Sequence, residues 1–112
     1  RAARQVKCRI LRTRNRGQVL RGRYRRSKRT SGRWVQVLIG VENRSRQSLT
    51  YIPFELVDKK GRTYKPLTDG AFYVRGTPPF RYPPDVRKRT VKIFELPRDA
   101  QVAELRVSGI AF

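Results

Sequence analysis

The feature that most constrains the fold is an alternating apolar run from Trp34 to Asn43. Side chains alternate across an extended chain, so four β-branched residues share one side of it: Val35, Val37, Ile39 and Val41. Trp34 and Leu38 add apolar surface to the other side, where we expect partial cover as well. Because β-branched residues fit a pleated, half-buried surface, the run predicts a central strand of a β-sandwich.

Short strands are predicted on both sides of this run. Before it we expect an edge strand over 6–10, a turn at 15–17, a returning strand over 18–25 and a loop over 25–32. After it the predicted strands cover 49–52, 54–57, 62–65, 90–96 and 103–107. No window has helical periodicity. The sequence therefore predicts an all-β, antiparallel sandwich of about seven to eight strands, forming a single domain over residues 1–112.

A tight turn is predicted at Asp58-Lys59-Lys60-Gly61. Asp suits the first position of such a turn, and Gly suits the position with positive φ. This role explains Asp58 without a metal-binding or catalytic function.

The charge is concentrated before the central run. The chain has 28 Lys and Arg against 8 Asp and Glu, a net charge of +20, and residues 1–33 hold 14 of the basic residues and no acid. The positive charges of such an excess repel one another in the folded protein, so we expect the chain to bind an anionic partner. Basic side chains also protect exposed strand edges, and a bias toward Arg codons would raise their number, but edge protection needs only a few charges.

We therefore predict that 1–33 is a strongly basic strand or hairpin region packed on the sandwich and contacting a polyanion. Arg21, Arg23 and Arg25 are expected to project from one side of the returning strand as a ladder. The candidate binding residues are Arg12, Arg14, Arg16, Arg21, Arg23, Arg25, Arg26, Lys28, Arg29 and Arg33. Trp34, beside Arg33, is the one residue of the central run expected to face a ligand.

The long connection over residues 66–84 is a second candidate site. Aromatic and Arg residues alternate within it, and long ordered loops are often functional. Its candidate partner-binding residues are Phe72, Tyr73, Arg75, Phe80, Arg81 and Tyr82. The alternative is that Phe72 and Phe80 fold inward and close one end of the sandwich.

Four stretches of the sequence together resemble a known domain type: 32–43, which ends in Asn43; 53–64, with an Asp-x-x-Gly turn before Tyr64; 82–85, with Pro83-Pro84-Asp85; and 91–100, with Phe94-Glu95-Leu96-Pro97. The pattern is similar to the telokin-like, immunoglobulin-type domains of unknown function found in bacterial and archaeal exported proteins and lipoproteins. In that family Pro-Gly-Glu is usual where Pro83-Pro84-Asp85 stands here. The resemblance implies an immunoglobulin-like, non-enzymatic sandwich outside the cytoplasm, and it carries over no site residues.

Several kinds of chemistry lack their usual residues. The chain has no His and only one Cys, so the commonest general base and a Cys-cluster zinc site are missing, and no catalytic residue, metal or cofactor is predicted. Cys8 is expected to be a small core residue. No apolar segment has the length of a membrane span. The chain begins at Arg1 and has no Met, so we expect a processed or trimmed product.

Three functions remain open at this point. The first is a non-enzymatic module that binds an anionic partner, namely DNA, RNA, an envelope polyanion or an acidic protein. The second is a structural or adhesive subunit of an extracellular or envelope assembly, in which the N-terminal strand adds to a neighbour's sheet, so that the chain forms a homo-oligomer. The third is a basic component of a ribonucleoprotein.

Overall fold

The computed structural model describes residues 5–75, 79 and 81–108. Within this part the chain forms strands and two short 3-10 turns, and no α-helix. The strands are β1 (Val6–Arg21), β2 (Ser27–Asn43), β3 (Phe54–Asp58), β4 (Thr63–Tyr64), β5 (Arg87–Leu96) and β6 (Val102–Val107).

The strands form two antiparallel sheets that pack face to face. The order in the first, which we call the long sheet, is β1-β2-β5, and the order in the second, the short sheet, is β4-β3-β6. The expected all-β sandwich is thus confirmed. The described residues form six strands rather than seven or eight.

The core lies between the sheets and is organised by β2, as the alternating run predicted. Val37 and Ile39 are fully buried, and they pack with Phe54 and Leu56 of the short sheet and Phe94 of β5. The predicted edge strand is also confirmed, since β1 lies at the edge of the long sheet, with Val6, Cys8 and Ile10 turned inward. Cys8 packs against this core, and burial raises the pKa of its thiol.

The predicted turn at 15–17 is wrong, because β1 continues through it. The positive φ of Gly17 (73°) serves a β-bulge instead: the β1–β2 register shifts on both sides of Gly17, and Asn15 Oδ1 accepts a hydrogen bond from its backbone N–H at 2.9 Å. The two predicted N-terminal strands are therefore one strand. The chain turns at Gly22–Arg26, and β2 begins at Ser27, inside the predicted loop.

The predicted ladder of Arg21, Arg23 and Arg25 is consequently wrong. β1 ends at Arg21, and the other two residues lie in the 3-10 turn Arg23–Arg25 at the tip of the β1–β2 hairpin. The predicted strand over 49–52 is reduced to one isolated bridge between Leu49 and Tyr82. Apart from that bridge, the segment before β3 has no sheet partner in the described part of the chain.

A second apolar cluster lies on the other side of the long sheet, under the connection from β4 to β5. Its buried members are Leu20, Trp34, Tyr73 and Ile93, and Leu67, Phe72 and Val74 pack against them. The connection is held to β5 by a hydrogen bond of 2.7 Å from Leu67 N–H to the Ile93 carbonyl. It therefore closes one end of this side of the sheet, which is why Trp34 is 3% exposed and cannot face a ligand as expected.

Two polar networks fix the loops of the sandwich. Asn43, at the end of β2, is fully buried; its Nδ2 donates to the carbonyls of Gln47 (2.7 Å) and Tyr82 (2.8 Å), and its Oδ1 accepts from Ser45 Oγ at 2.6 Å. These bonds join the loop after β2 to the segment before β5.

The second network is built on Asp58, in the turn between β3 and β4. Its carboxylate accepts the backbone N–H groups of Lys60 and Arg62, both at 2.9 Å, and bonds from Arg62 Nε and Tyr64 Oη, both at 2.7 Å. Burial is the largest single influence and would raise the pKa of Asp58, but the hydrogen bonds together outweigh it and lower that pKa to about 2. The predicted turn role of Asp58 is confirmed.

Candidate polyanion-binding surface

The surface that collects positive charge is the outer face of the long sheet, which points away from the short sheet. Its side chains alternate with the inward-facing ones along each strand. At the end nearest the N-terminus, which we call the open end, the following basic residues are exposed: Lys7, Arg9, Arg12 and Arg14 of β1, and Arg87 and Arg89 of β5. At the other end, the covered end, the β4–β5 connection lies over the sheet.

Gly40 brings the basic residues of β1 and β5 together. It pairs with Arg9 on one side and with Arg89 on the other, so no side chain of β2 separates the two arginines. Leu11 lies over this gap; a methyl group on Gly40 would be 3.3 Å from its Cδ1. The result is a cavity of about 490 Å³ with an apolar floor and basic walls.

Glu42 partly offsets the charge of the open end. It is the one acid among the described residues that line this cavity. Its carboxylate lies 3.2 Å from Arg44 Nη2 and 3.9 Å from Arg87 Nε. The cations that line the cavity still outnumber it, so the open end keeps a strong positive potential.

At the covered end a groove of about 650 Å³ runs between the hairpin and the β4–β5 connection. None of the described residues that line it is acidic. Its basic lining consists of Arg14, Arg16, Arg21, Arg23 and Arg75. Arg14 lies between the two cavities, so the basic surface is continuous from the open end to the hairpin tip.

Arg16 holds the wall of this groove in place. Its Nη1 donates to Gln36 Oε1 at 2.6 Å and to the Tyr73 carbonyl at 2.8 Å, and its Nη2 donates to the Arg21 carbonyl at 3.3 Å. Burial and then the charge of Arg14 lower the pKa of Arg16. Arg16 thus joins the connection to the sheet, and its role is more structural than that of its neighbours.

The predicted basic residues near the hairpin tip differ in their surroundings. Arg26 stacks its guanidinium over the Phe72 ring, 4.1 Å from the centroid. Its Nη1 is 3.9 Å from Asp69, and Lys28 Nζ is 3.3 Å from the same carboxylate. Arg25 is exposed at the tip. Lys28 and Arg26 are therefore partly neutralised.

Two predicted residues lie away from the outer face. Arg33 shares its side of the sheet with buried Leu96, and its Nη2 donates to the Ala100 carbonyl at 2.6 Å. Arg29 pairs with Val19, so it points to the side of the hairpin opposite Lys28. These two do not join the others in one surface.

The predicted partner-binding loop is divided by burial. Tyr73 and Tyr82 are each 5% exposed, so their rings belong to the core and offer no surface to a partner. Phe72 is half-buried against the second apolar cluster, whereas Arg75 and Arg81 are exposed. Phe80 lies outside the described residues.

Sequence reasoning missed several basic residues of the outer face: Lys7, Arg9, Arg87 and Arg89. The run at 87–89 was visible as a basic stretch, and Lys7 and Arg9 alternate with the apolar residues of β1. Their meeting depends on the register of both strands against β2, which no local pattern reports. Tyr24, inside the basic segment, was also missed.

The remaining chemistry is sparse. The part of the chain that the structure describes contains no group of three or more His, Cys, Asp or Glu side chains suited to a metal ion. Within the same ranges no helix has the length and hydrophobicity needed to cross a membrane. β1 also lies close to β6 of the short sheet.

Comparison with known proteins adds no constraint: no family model, no curated protein and no solved structure gives a significant match to the chain. The geometry of the surface therefore carries the functional argument alone.

Proposed function

We propose that this domain is a non-enzymatic module that binds a polyanion, either nucleic acid or an anionic envelope polymer, through the outer face of the long sheet. The observation that carries the proposal is the continuous row of exposed arginines on one face, where Glu42 is the one acid among the described lining residues. Guanidinium groups bind phosphate, sulfate and carboxylate in bidentate fashion.

The arrangement of the charges favours a binding role for this face rather than the role of an ordinary solvated surface. Arg9 and Arg89 both pair with Gly40, one from each neighbouring strand, so their exposed side chains flank a position that has no side chain. An anion bound there would neutralise charges that otherwise repel each other. Because the contacts are ionic, we expect binding to be largely independent of the nucleotide sequence of a nucleic-acid ligand.

The finer fold assignment belongs to the same proposal: an immunoglobulin-like domain of the telokin-like type. The polar residues that carry the resemblance have structural tasks, since Asn43 ties two loops together and Tyr64 donates to the carboxylate of Asp58. A family defined by such residues would share a fold and leave the outer face free to vary.

The test is a titration of duplex DNA, RNA and heparin by fluorescence anisotropy at several salt concentrations. For duplex DNA, log K should fall with log[salt] with a slope of about −0.9 for each phosphate neutralised. Replacing both Arg9 and Arg89 by Ala should reduce that slope by about 1.8. Absence of binding to all three at low salt would reject the proposal.

Arg106→Ala is the matched control. Arg106 lies on the short sheet, where it pairs with Glu55 at 2.8 Å, and points away from the long sheet. Its removal lowers the net charge without touching the outer face. A loss of about 0.9 in the slope for Arg106→Ala, half that of the double variant, would show that total charge, rather than this face, governs binding.

A further inference from the structure

The tip of the β1–β2 hairpin has a backbone that its sequence does not favour. The Arg26 N–H donates to the Arg23 carbonyl at 3.1 Å, and the two residues between them have positive φ, 57° at Tyr24 and 59° at Arg25. Turns of this kind are usually built from Asn-Gly, because side chains with a Cβ are disfavoured there. An aromatic residue held in this conformation breaks a local rule, and such positions cluster at functional sites.

Tyr24 is also the most exposed of the large apolar side chains that the structure describes, at 84%. Its ring makes no contribution to the core, in contrast to buried Tyr73 and Tyr82. It projects between Arg23 and Arg25 at the outermost point of a long hairpin. The tip thus presents an aromatic surface surrounded by cations.

The arginine-lined groove begins directly beside this tip. Gly22 allows the hairpin to approach the β4–β5 connection closely, because a methyl group there would lie 2.5 Å from both the Phe72 carbonyl oxygen and Tyr73 Cδ1. Arg16 bonds the same connection to the sheet. The base of the hairpin tip is therefore held against the connection that forms the other wall of the groove.

We propose that the tip and the groove recognise single-stranded nucleic acid, with Tyr24 stacked on an unpaired base and the phosphates following the groove toward the open end. This inference rests on the proposed function and specifies its ligand. A basic groove that follows the backbone, beside an exposed aromatic ring, is the combination by which proteins bind single strands. In a duplex the base faces are already stacked and give the ring no partner.

The test compares wild-type protein with Tyr24→Ala on a labelled single-stranded DNA, the matching duplex and heparin. Stacking on one base is worth about 1–3 kcal/mol, so the affinity for the single strand should fall about 5- to 150-fold. Affinity for duplex and heparin should change less than about twofold by the same reasoning. The salt slope should stay constant because no charge is removed.

Three further variants test whether the aromatic ring of Tyr24 is responsible for the affinity for single-stranded DNA. Tyr24→Trp should retain single-strand affinity, because it keeps an aromatic ring. Tyr24→Asn favours the positive φ of the turn but has no ring, so it should bind as weakly as Tyr24→Ala. Tyr51→Ala removes the other highly exposed tyrosine, which is 74% exposed and lies in the segment before β3, and should bind like wild type.

The outcomes separate this inference from the proposed function. If wild-type protein binds heparin and single-stranded DNA and Tyr24→Ala binds both unchanged, the inference is overturned and the proposed function stands. A similar loss of affinity for all three ligands in Tyr24→Ala would also overturn it, since the ring would then affect every anionic ligand alike instead of stacking on an unpaired base. If wild-type protein binds none of the ligands, both proposals fail.

Discussion

The two faces of the long sheet consist of the same three strands and differ in almost every physical respect. The inner face is a dry row of β-branched and aromatic side chains packed against the short sheet. The outer face is covered at one end by the β4–β5 connection, and at the open end exposed basic side chains surround half-buried apolar ones. Because side chains alternate between the two faces along each strand, successive residues contribute in turn to the stable core and to the proposed binding surface.

The two faces also differ in how they restrict substitution. An inner residue must fill a fixed volume, because a cavity costs free energy in proportion to its size. The side chain of an outer residue at the open end is exposed and does not fill a fixed volume, so the fold does not depend on it. Substitutions on the two faces should therefore affect different measurements.

The largest expected effect is on the stability of the inner face. Ile39→Ala removes a fully buried side chain and should lower the free energy of unfolding by about 2–5 kcal/mol, measured by urea denaturation. Leu38→Ala, one residue away on the half-buried outer face, is the matched control and should cost about 1 kcal/mol or less. Equal losses of unfolding free energy in the two variants would mean that the inner and outer faces contribute alike to stability.

A smaller effect is expected where the outer face is covered. Gly22→Ala places a methyl group against the backbone of Phe72 and the ring of Tyr73, and such overpacking typically costs about 1–3 kcal/mol. Gly17→Ala is a useful comparison, because its cost should come from positive φ alone, with no atom within 4 Å of the new methyl group. Only Gly22→Ala should speed hydrogen exchange in the β4–β5 connection.

The smallest of these effects concerns acid. The pKa of Asp58 is lowered from 3.8 to about 2 in the folded protein, so its contribution to stability is complete above about pH 4 and is lost as the pH falls toward 2. The thermal midpoint should fall by several degrees over this range.

Asp58→Asn tests the assignment of that loss. It should lower the midpoint at neutral pH and flatten its dependence between pH 4 and pH 2, since the titrating carboxylate is gone. Glu95→Gln, at an exposed site on β5, is the control and should keep the wild-type profile. A profile unchanged in Asp58→Asn would place the acid sensitivity elsewhere.

The sequence was most informative where a local pattern has a local cause. The Trp34–Asn43 run predicted the centre of the core, because strand periodicity alone decides which of its residues can be buried together. The turn at Asp58 was predicted for the same reason, since the hydrogen bonds that the Asp58 carboxylate accepts come from residues no further along the chain than Tyr64. Both predictions depend on neighbours in the chain.

The errors came where local signals had two structural solutions. Asn15-Arg16-Gly17 is typical of a turn, but a glycine with positive φ also forms a bulge, and pairing along the full length of β2 favoured the bulge. The ladder of Arg21, Arg23 and Arg25 depended on that turn and was wrong with it. Trp34 led us to expect partial cover on this side of β2, and the second cluster confirms it, but no local pattern showed that a distant connection supplies the cover.

The sequence by itself determined that the chain is an all-β sandwich with an excess of positive charge and with its densest core residues in one strand, because composition and periodicity act on each residue where it stands. Only the tertiary structure decided that Arg9 and Arg89 flank Gly40 and that Tyr24 projects beside an arginine-lined groove. These neighbours are set by strand register and by the packing of a connection from far along the chain. Register is fixed by the burial of whole faces, so it depends on the complete fold.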